Sequence, residues 1–366
     1  MDAGLEGIVA AETGLSDVRG EEGRLIVRGL DLEDLVARCG FEATAALLWS
    51  GLAEPEMDEA QVARALGAAR VETGKIIPRF LEVSGDMHPV EALRLGLAML
   101  PEEAAVPAHI RATAAMPVFL AAQKRRRDGL APVAPAANAG QAEDFLRMLH
   151  DAAPDAMRVK AIETYLVTVA DHGLNASTFT ARVVASTRPG ILSAVIAGLC
   201  ALKGPLHGGA PGPVLDMFDE IGSEDRIAGW VAERLAAKDR LMGFGHRVYR
   251  ARDPRADVLK TEVARLRGTA DRIAFAEKVE RGVLDALAAR YPGRRLETNV
   301  EFYTALLLDA VGIPRDMFTS IFAMGRVLGW TAHAFEQLAT GRLVRPGAVY
   351  VGPQPAAARR LAAGAD

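Results

Sequence analysis

Apolar positions recur along the chain at spacings of three and four far more often than at two, so helices are the expected elements. Asp31 is placed to cap a helix running to Cys39, with Asp34 at its third position. Phe41 to Trp49 carries Ala45, Leu47, Leu48 and Trp49 ahead of a stop at Gly51. Pro89 opens a further helix through Met99. Ile191 to Leu202, ILSAVIAGLCAL, reads as a buried helix, too short for the roughly 20 residues that span a bilayer. In Gly20 to Gly29, GEEGRLIVRG, a Gly-bounded turn before a β-branched run predicts a small hairpin or extended arm. From Arg125 to Gln141 a basic run gives way to Pro, Gly and Ala without periodicity, which predicts an exposed connection beginning at a solvated helix end. The expected fold class is all-α.

A chain of 366 residues, at about 150 per domain, is long enough for about two domains. Lys plus Arg number 43 against 47 Asp plus Glu, a net charge of -4, which leaves no cationic excess for a polyanion and argues against nucleic-acid binding. The two cysteines, Cys39 and Cys200, are far apart and form neither a disulfide framework nor a CxxC metal site, as suits a reducing cytoplasm. The opening MDAGLEGIVAAETG lacks the basic flank and apolar block of a signal peptide, so a soluble, cytoplasmic protein away from membranes is expected.

Chemistry concentrates at histidines. Of seven, His88 and His109 sit near prolines in loop-like surroundings, His150 ends a polar-faced helix, and His333 lies among Ala332, Ala334 and Phe335 as a satisfied imidazole would. The other three occupy polar or Gly-rich strings inside apolar protein: DHGLNASTF with His172, GPLHGGAP with His207, and LMGFGHRVYRARDPRA with His246. His207 fits a helix end at which glycine turns left-handed, and equally a site where glycine lets a ligand approach the ring. His246 has the same two readings, with Arg250, Arg252 and Arg255 tilting it towards an anion site. His172 beside Asp171 could open a helix, Asn175 and Ser177 then being turn formers. No HExxH, no His pair at helical spacing and no DxDxDG loop occurs, so no metal is expected. GFGHRV lacks the third glycine of a dinucleotide fingerprint, and GxSxG is absent.

Taken together and in order, these strings resemble the citrate synthase family. GLEGIVAAETGLSDVRGEEGRLIVRG, DHGLNASTFTARVVAST, GPLHGGAP, LMGFGHRVYRARDPRA, TNVEFYTALLL, FAMGRVLGWTAHAFEQ and RLVRPGAVYVG match family blocks at family spacing along almost the whole chain. The resemblance implies a homodimer of helical subunits. Each would have a large domain, 1–207 with 312–366, and a small domain, 208–311, that closes over the substrates. The implied reaction condenses acetyl-CoA, a substrate, with oxaloacetate and hydrolyses citryl-CoA to citrate and CoA, without cofactor or metal.

By the same resemblance, His207 is similar to the histidine that bonds the thioester oxygen, His246 to the one that polarises and protonates the ketone, and Glu301 to the catalytic carboxylate. His172, Arg255 and Arg326 resemble oxaloacetate ligands, Phe322 an aromatic beside the bound acid, and Arg345 the arginine sent into the partner subunit's site. Arg250 falls where a CoA phosphate is held, and Gly243, Phe244 and Gly245 where backbone meets the adenine. Glu301 stands where the family usually has Asp, Pro211 where it has Asn and Gly173 where it has Glu. Glu301 and the HGGAP string resemble a subset of bacterial second citrate synthases.

The chemistry has reasons for these residue types. A thioester methyl is a very weak acid, so a carboxylate base works only if the developing enolate oxygen receives a hydrogen bond in the same step. Two carboxylates on oxaloacetate call for planar arginine forks. Glu301, following TNV and preceding an apolar helix, is expected at that helix's buried start. The competing readings are a 2-methylcitrate synthase using propionyl-CoA and a weakly catalytic paralogue that binds oxaloacetate or CoA.

Overall fold

The structure is a computed structural model that describes residues 4–5, 7–208, 211–246, 249, 251–266 and 270–352. Three short strands come first: β1 (Ser16–Arg19), β2 (Arg24–Val27) and β3 (Leu30–Asp31). Helices follow: α1 (Leu32–Arg38), α2 (Phe41–Trp49), α3 (Glu59–Gly74), α4 (Ile77–Ser84), α5 (Pro89–Ala98), α6 (Ala108–Arg127), α7 (Gln141–His150) and α8 (Ala156–Thr168). Then come α9 (Ala176–Ala185), α10 (Ile191–Leu202), α11 (Pro211–Ile221), α12 (Ile227–Ala237), α13 (Pro254–Arg265), α14 (Ala270–Arg290), α15 (Val300–Val311) and α16 (Phe318–Thr340). The fold is all-α, with one small antiparallel sheet ordered β1-β2-β3. None of the described helices is long and apolar enough to cross a membrane.

The hairpin forms where the Gly-bounded run predicts it, Ser16 opposite Val27 and Arg19 opposite Arg24. Leu25 and Val27 face the core while the residues between them stay more exposed, the alternation of a half-buried strand. α1, α2, α5 and α10 also lie where the pattern places them. Asp31 is the residue before α1, but its carboxylate binds Arg24 at 3.1 and 2.9 Å and does not cap the helix.

Two expectations are corrected. His109 is not in a loop: it sits in the first turn of α6, buried edge-on between Trp49 (4.7 Å between ring centroids) and Phe335 (5.0 Å). The basic run is not wholly solvated either. α6 extends to Arg127, and Arg125 is buried, reaching the Ala131 carbonyl at 2.5 Å and Asp151 at 3.1 Å. A guanidinium is long enough to fasten the connection that follows its own helix, and periodicity does not show such a reach.

α16 is the central element, buried along most of its length and packed against α2, α6, α8, α9 and α10. Gly325 and Gly329 bring its backbone against the end of α8. A Cβ at Gly325 would lie 2.6 Å from Val169, and one at Gly329 would lie 2.4 Å from the Ala170 carbonyl. α13 and α15 pack on each other and also touch α8, so the first turns of both are held near that same end.

Arg70 of α3 and Asp144 of α7 form a fully buried ion pair at 2.8 Å, and Arg70 also reaches Gln141 at 2.8 Å. Removing the cation leaves Asp144 with Arg147 as its one ion-pair partner among the described residues. Arg70→Ala is expected to cost about 3 kcal/mol, the toll for breaking a buried pair from one side. A fall in the urea midpoint at unchanged slope measures it; a loss below about 1 kcal/mol contradicts it.

Candidate active site

Four segments far apart in sequence meet beside α16. The turn between α8 and α9 carries His172, the loop after α10 carries His207, the loop between α12 and α13 carries His246, and the first turn of α15 carries Glu301. The His172 and His246 rings lie 5.9 Å apart, and Tyr249 packs against both, at 5.6 and 4.8 Å. Arg326 of α16 stacks on Phe322 at 4.9 Å, and the Phe322 ring stands edge-on to His207 at 6.5 Å. Arg255, in the first turn of α13, comes within 3.2 Å of His246 Nε2.

Fixed backbone donors set the histidine tautomers. The Ser177 N–H, one of the free donors at the start of α9, points at His207 Nε2 at 3.3 Å, with Ser177 Oγ at 2.8 Å. A backbone N–H can only donate, so Nε2 accepts and the ring proton resides on Nδ1. In His246 the Tyr249 N–H occupies Nδ1 at 3.0 Å, which places the proton on Nε2. Arg255 Nη2 lies 3.2 Å from that Nε2, so the ring and the guanidinium present N–H groups to the same place. Burial, reinforced by Arg326, drops the His207 pKa to about 4. Burial, reinforced by Arg255, does the same to His246. Burial first, then Arg255 and Arg326, hold His172 well below its usual range. All three imidazoles are therefore neutral at pH 7.

Arginines supply the positive charge. Arg255 forks onto Asp253 at 3.0 and 2.8 Å, and Asp253 also caps α13 and accepts the Val300 N–H at 3.2 Å. One carboxylate thus ties the guanidinium to the start of the helix that bears Glu301. Arg326 bonds the Val169 carbonyl through Nε at 2.6 Å, while its Nη2 is buried without a hydrogen-bond partner among the described residues. Burial, partly opposed by Asp171, lowers the Arg326 pKa to about 10. An unfilled buried guanidinium donor is costly, and a carboxylate is the ligand that fits it.

Glu301 is at the start of α15, as its position after TNV predicts. Asn299 caps the helix by accepting the Glu301 N–H at 3.0 Å. Glu301 Oε2 is buried with no partner among the described residues. Burial, opposed by Arg255 and Arg240, raises the carboxyl pKa to about 7, a value suited to a general base.

Gly243, Phe244 and Gly245 form a strip beside residues 297–299. The Gly243 carbonyl accepts the Asn299 N–H at 2.9 Å, the Gly245 N–H reaches the Glu297 carbonyl at 2.8 Å, and Gly245 O accepts from Asn299 Nδ2 at 2.8 Å. Phe244 pairs with Thr298 between those two bonds, so its own N–H and C=O are not spent on that segment. Gly243 and Gly245 have φ of 87° and 76°. Gly208 does not, so it is not the left-handed glycine of a helix end, and Gly209 lies outside the described residues. A Cβ at Gly208 would lie 2.5 Å from the Leu202 carbonyl, so close packing is what requires glycine.

Arg345 lies exposed beyond α16, and among the described residues no bond joins it to the histidine cluster. Arg250 lies outside the described residues. His333 is fully buried and satisfied as expected, between Arg182 (3.0 Å) and Asp171 (3.3 Å). Ser177, Asp253, Asn299 and Tyr249 were not singled out as site residues by the sequence, although Asp and Asn ahead of a helix are cap signals.

The sequence profile of the citrate synthase C-terminal domain matches residues 4–347. "Citrate synthase 2" of Bacillus subtilis is 37% identical over 361 residues, covering 96% of this chain and 95% of that protein. "2-methylcitrate synthase" of Mycobacterium tuberculosis is 36% identical over 357 residues, covering 95% and 90%. The crystal structure of citrate synthase from Thermotoga maritima superposes with a TM-score of 0.86 at 32% identity, covering 96% of both chains.

The raised Glu301 carboxyl makes a signed prediction. The folded state holds this proton up to about pH 7, whereas the unfolded chain releases it near 4.5, so wild-type stability from this group falls as pH rises through that window. Ligand-free Glu301→Gln is expected to match wild type near pH 4.5 and to exceed it by up to about 3 kcal/mol above pH 7. Denaturation curves at several pH values read the gap; a gap that does not vary with pH, or one favouring wild type at pH 8, contradicts it.

Proposed function

The chain belongs to the citrate synthase family, whose members are acyltransferases, and from that premise we propose that it condenses acetyl-CoA with oxaloacetate and hydrolyses citryl-CoA to citrate and CoA. The observation that carries the reading is Glu301, whose Oε2 is buried without a partner among the described residues and whose carboxyl lies in the field of Arg255.

In this reading oxaloacetate binds by its carboxylates to Arg255, Arg326 and His172, with the partner subunit's Arg345 completing the set in a homodimer. Phe322 packs beside the acid. The ketone oxygen is assigned to the place that His246 Nε2 and Arg255 share, 3.2 Å apart. Glu301 takes a proton from the acetyl methyl while His207 Nδ1–H donates to the thioester oxygen, so charge does not build up on an unsupported enolate. The enol carbon attacks the ketone carbon, the ketone oxygen receives a proton from His246, and the resulting thioester is cleaved by water. Neutral imidazoles suit both tasks, because each offers one N–H whose direction is fixed by a donor on its other nitrogen.

CoA is assigned to the Gly243–Phe244–Gly245 strip, where Phe244 keeps a backbone donor and acceptor for an adenine, and to Arg250. The small domain is taken as 208–311 and the large one as 1–207 with 312–366, so that closure joins His246, Arg255 and Glu301 to His172, His207 and Arg326 and excludes water during enolisation. No cofactor or metal takes part. The site of action is the cytoplasm.

A 2-methylcitrate synthase is the second reading, favoured by the 36% identical relative of that name. One methylene is worth only about 1–3 kcal/mol in a pocket.

Thiol release with acetyl-CoA and with propionyl-CoA, each with and without oxaloacetate, tests both readings. Oxaloacetate-dependent release faster with acetyl-CoA supports the first, faster with propionyl-CoA the second, and none with either leaves only a binding role. Glu301→Gln is expected to lower kcat by about 10³-fold or more while oxaloacetate affinity stays within about threefold. Wild-type kcat/KM should rise with pH to a plateau above about 7, as Glu301 ionises.

A further inference from the structure

The hairpin at the start of the chain touches both halves of the site. Ser16 of β1 donates its hydroxyl proton to Asp171 Oδ2 at 2.5 Å and accepts the Gly173 N–H at 2.8 Å. These bonds land on the residues either side of His172. Asp171 is fully buried and is held from below by His333, which Arg182 fixes in turn. Gly173 has φ of 58°, and a Cβ there would lie 3.2 Å from Val18 of the same strand, so glycine at this position lets the strand close over the turn. At its other end the hairpin meets the segment between His246 and Arg255. The Ala251 N–H reaches the Gly20 carbonyl at 3.4 Å, and a Cβ on Gly23 would lie 2.8 Å from the Arg252 carbonyl. Glu21 at the turn lines a cavity of about 450 Å³ together with His246.

We propose that this hairpin is a positioning element for oxaloacetate, in which Ser16 brackets His172 through Asp171 and Gly173 while the turn at Gly20–Gly23 steadies the His246–Arg255 segment. The proposal rests on the oxaloacetate reading above. One hydroxyl thus ties the Asp171 carboxylate on one side of His172 to the Gly173 backbone on the other, and alanine loses both bonds. The hairpin contributes no atom to the chemistry. Its effect is on where His172 points when the acid arrives.

Ser16→Ala in the full chain is expected to raise the oxaloacetate KM about tenfold, with the acyl-CoA KM and kcat within about twofold, and Ser16→Thr to restore most of the loss. Asp17→Ala, on the same strand and exposed, should change none of them. An oxaloacetate KM that does not move, both KM values moving together, or no rescue by threonine overturns the proposal. If the alanine variant does not fold, Ser16→Cys, close in size but a weak donor and acceptor, takes its place with the same expectations. Wild-type protein that releases no thiol with oxaloacetate marks failure of the underlying reading instead. The hairpin is then judged by the imidazole ¹⁵N resonances of His172, which should shift in Ser16→Ala and return in Ser16→Thr; unshifted resonances overturn it.

Discussion

A guanidinium buried with an unfilled donor is the constraint around which this molecule is arranged. Arg326 lies inside α16, a helix buried along most of its length, and spends Nε on the Val169 carbonyl while Nη2 has no partner among the described residues. Holding it there requires a helix that can approach the end of α8, hence the glycines at 325 and 329. It also requires a counter-charge close enough to tolerate burial and too far away to consume the donor, a part played by Asp171. The same positive field, added to burial, keeps His172 and His207 neutral. Stability has been given up at this point, and in the proposed reading a dicarboxylate would recover it.

Two carboxylates near one another are set to opposite tasks by their surroundings. Asp253 makes bonds to Arg255 and to the amides of two helix starts, so it is committed to structure. Glu301 has its own helix cap behind it and an Oε2 without a partner among the described residues, and burial lifts its pKa to about 7. Environment, more than residue type, separates the brace from the carboxylate proposed as the base. Glu301 is accommodated at the start of α15 with the cap on Asn299 intact.

Much of this was legible in the chain. Periodicity located α1, α2, α5 and α10, and the Gly-bounded run located the hairpin, because each reports a local preference. The three histidine strings stood out since a glycine-rich polar string inside apolar sequence is rarely neutral to packing. Other features were not legible for a physical reason: they join residues far apart. Ser16 and Asp171 are 155 positions apart, and Ser177 and His207 are 30 apart. Ser177 looks like any turn former until the ring it orients is seen. Arg125 looked solvated because a helix end usually is, and only the returning chain shows what it holds. Gly208 looked like a left-handed cap and is instead a close approach to Leu202.

The claim most worth testing is that Glu301 removes the methyl proton, and exchange can isolate that step from the carbon–carbon bond formation that follows. Acetyl-CoA would be incubated in D2O with wild-type protein and a dicarboxylate that lacks the ketone, and deuterium entry into the methyl group followed by NMR. The account predicts enzyme-dependent exchange that is abolished in Glu301→Gln; exchange of equal rate in that variant would contradict it.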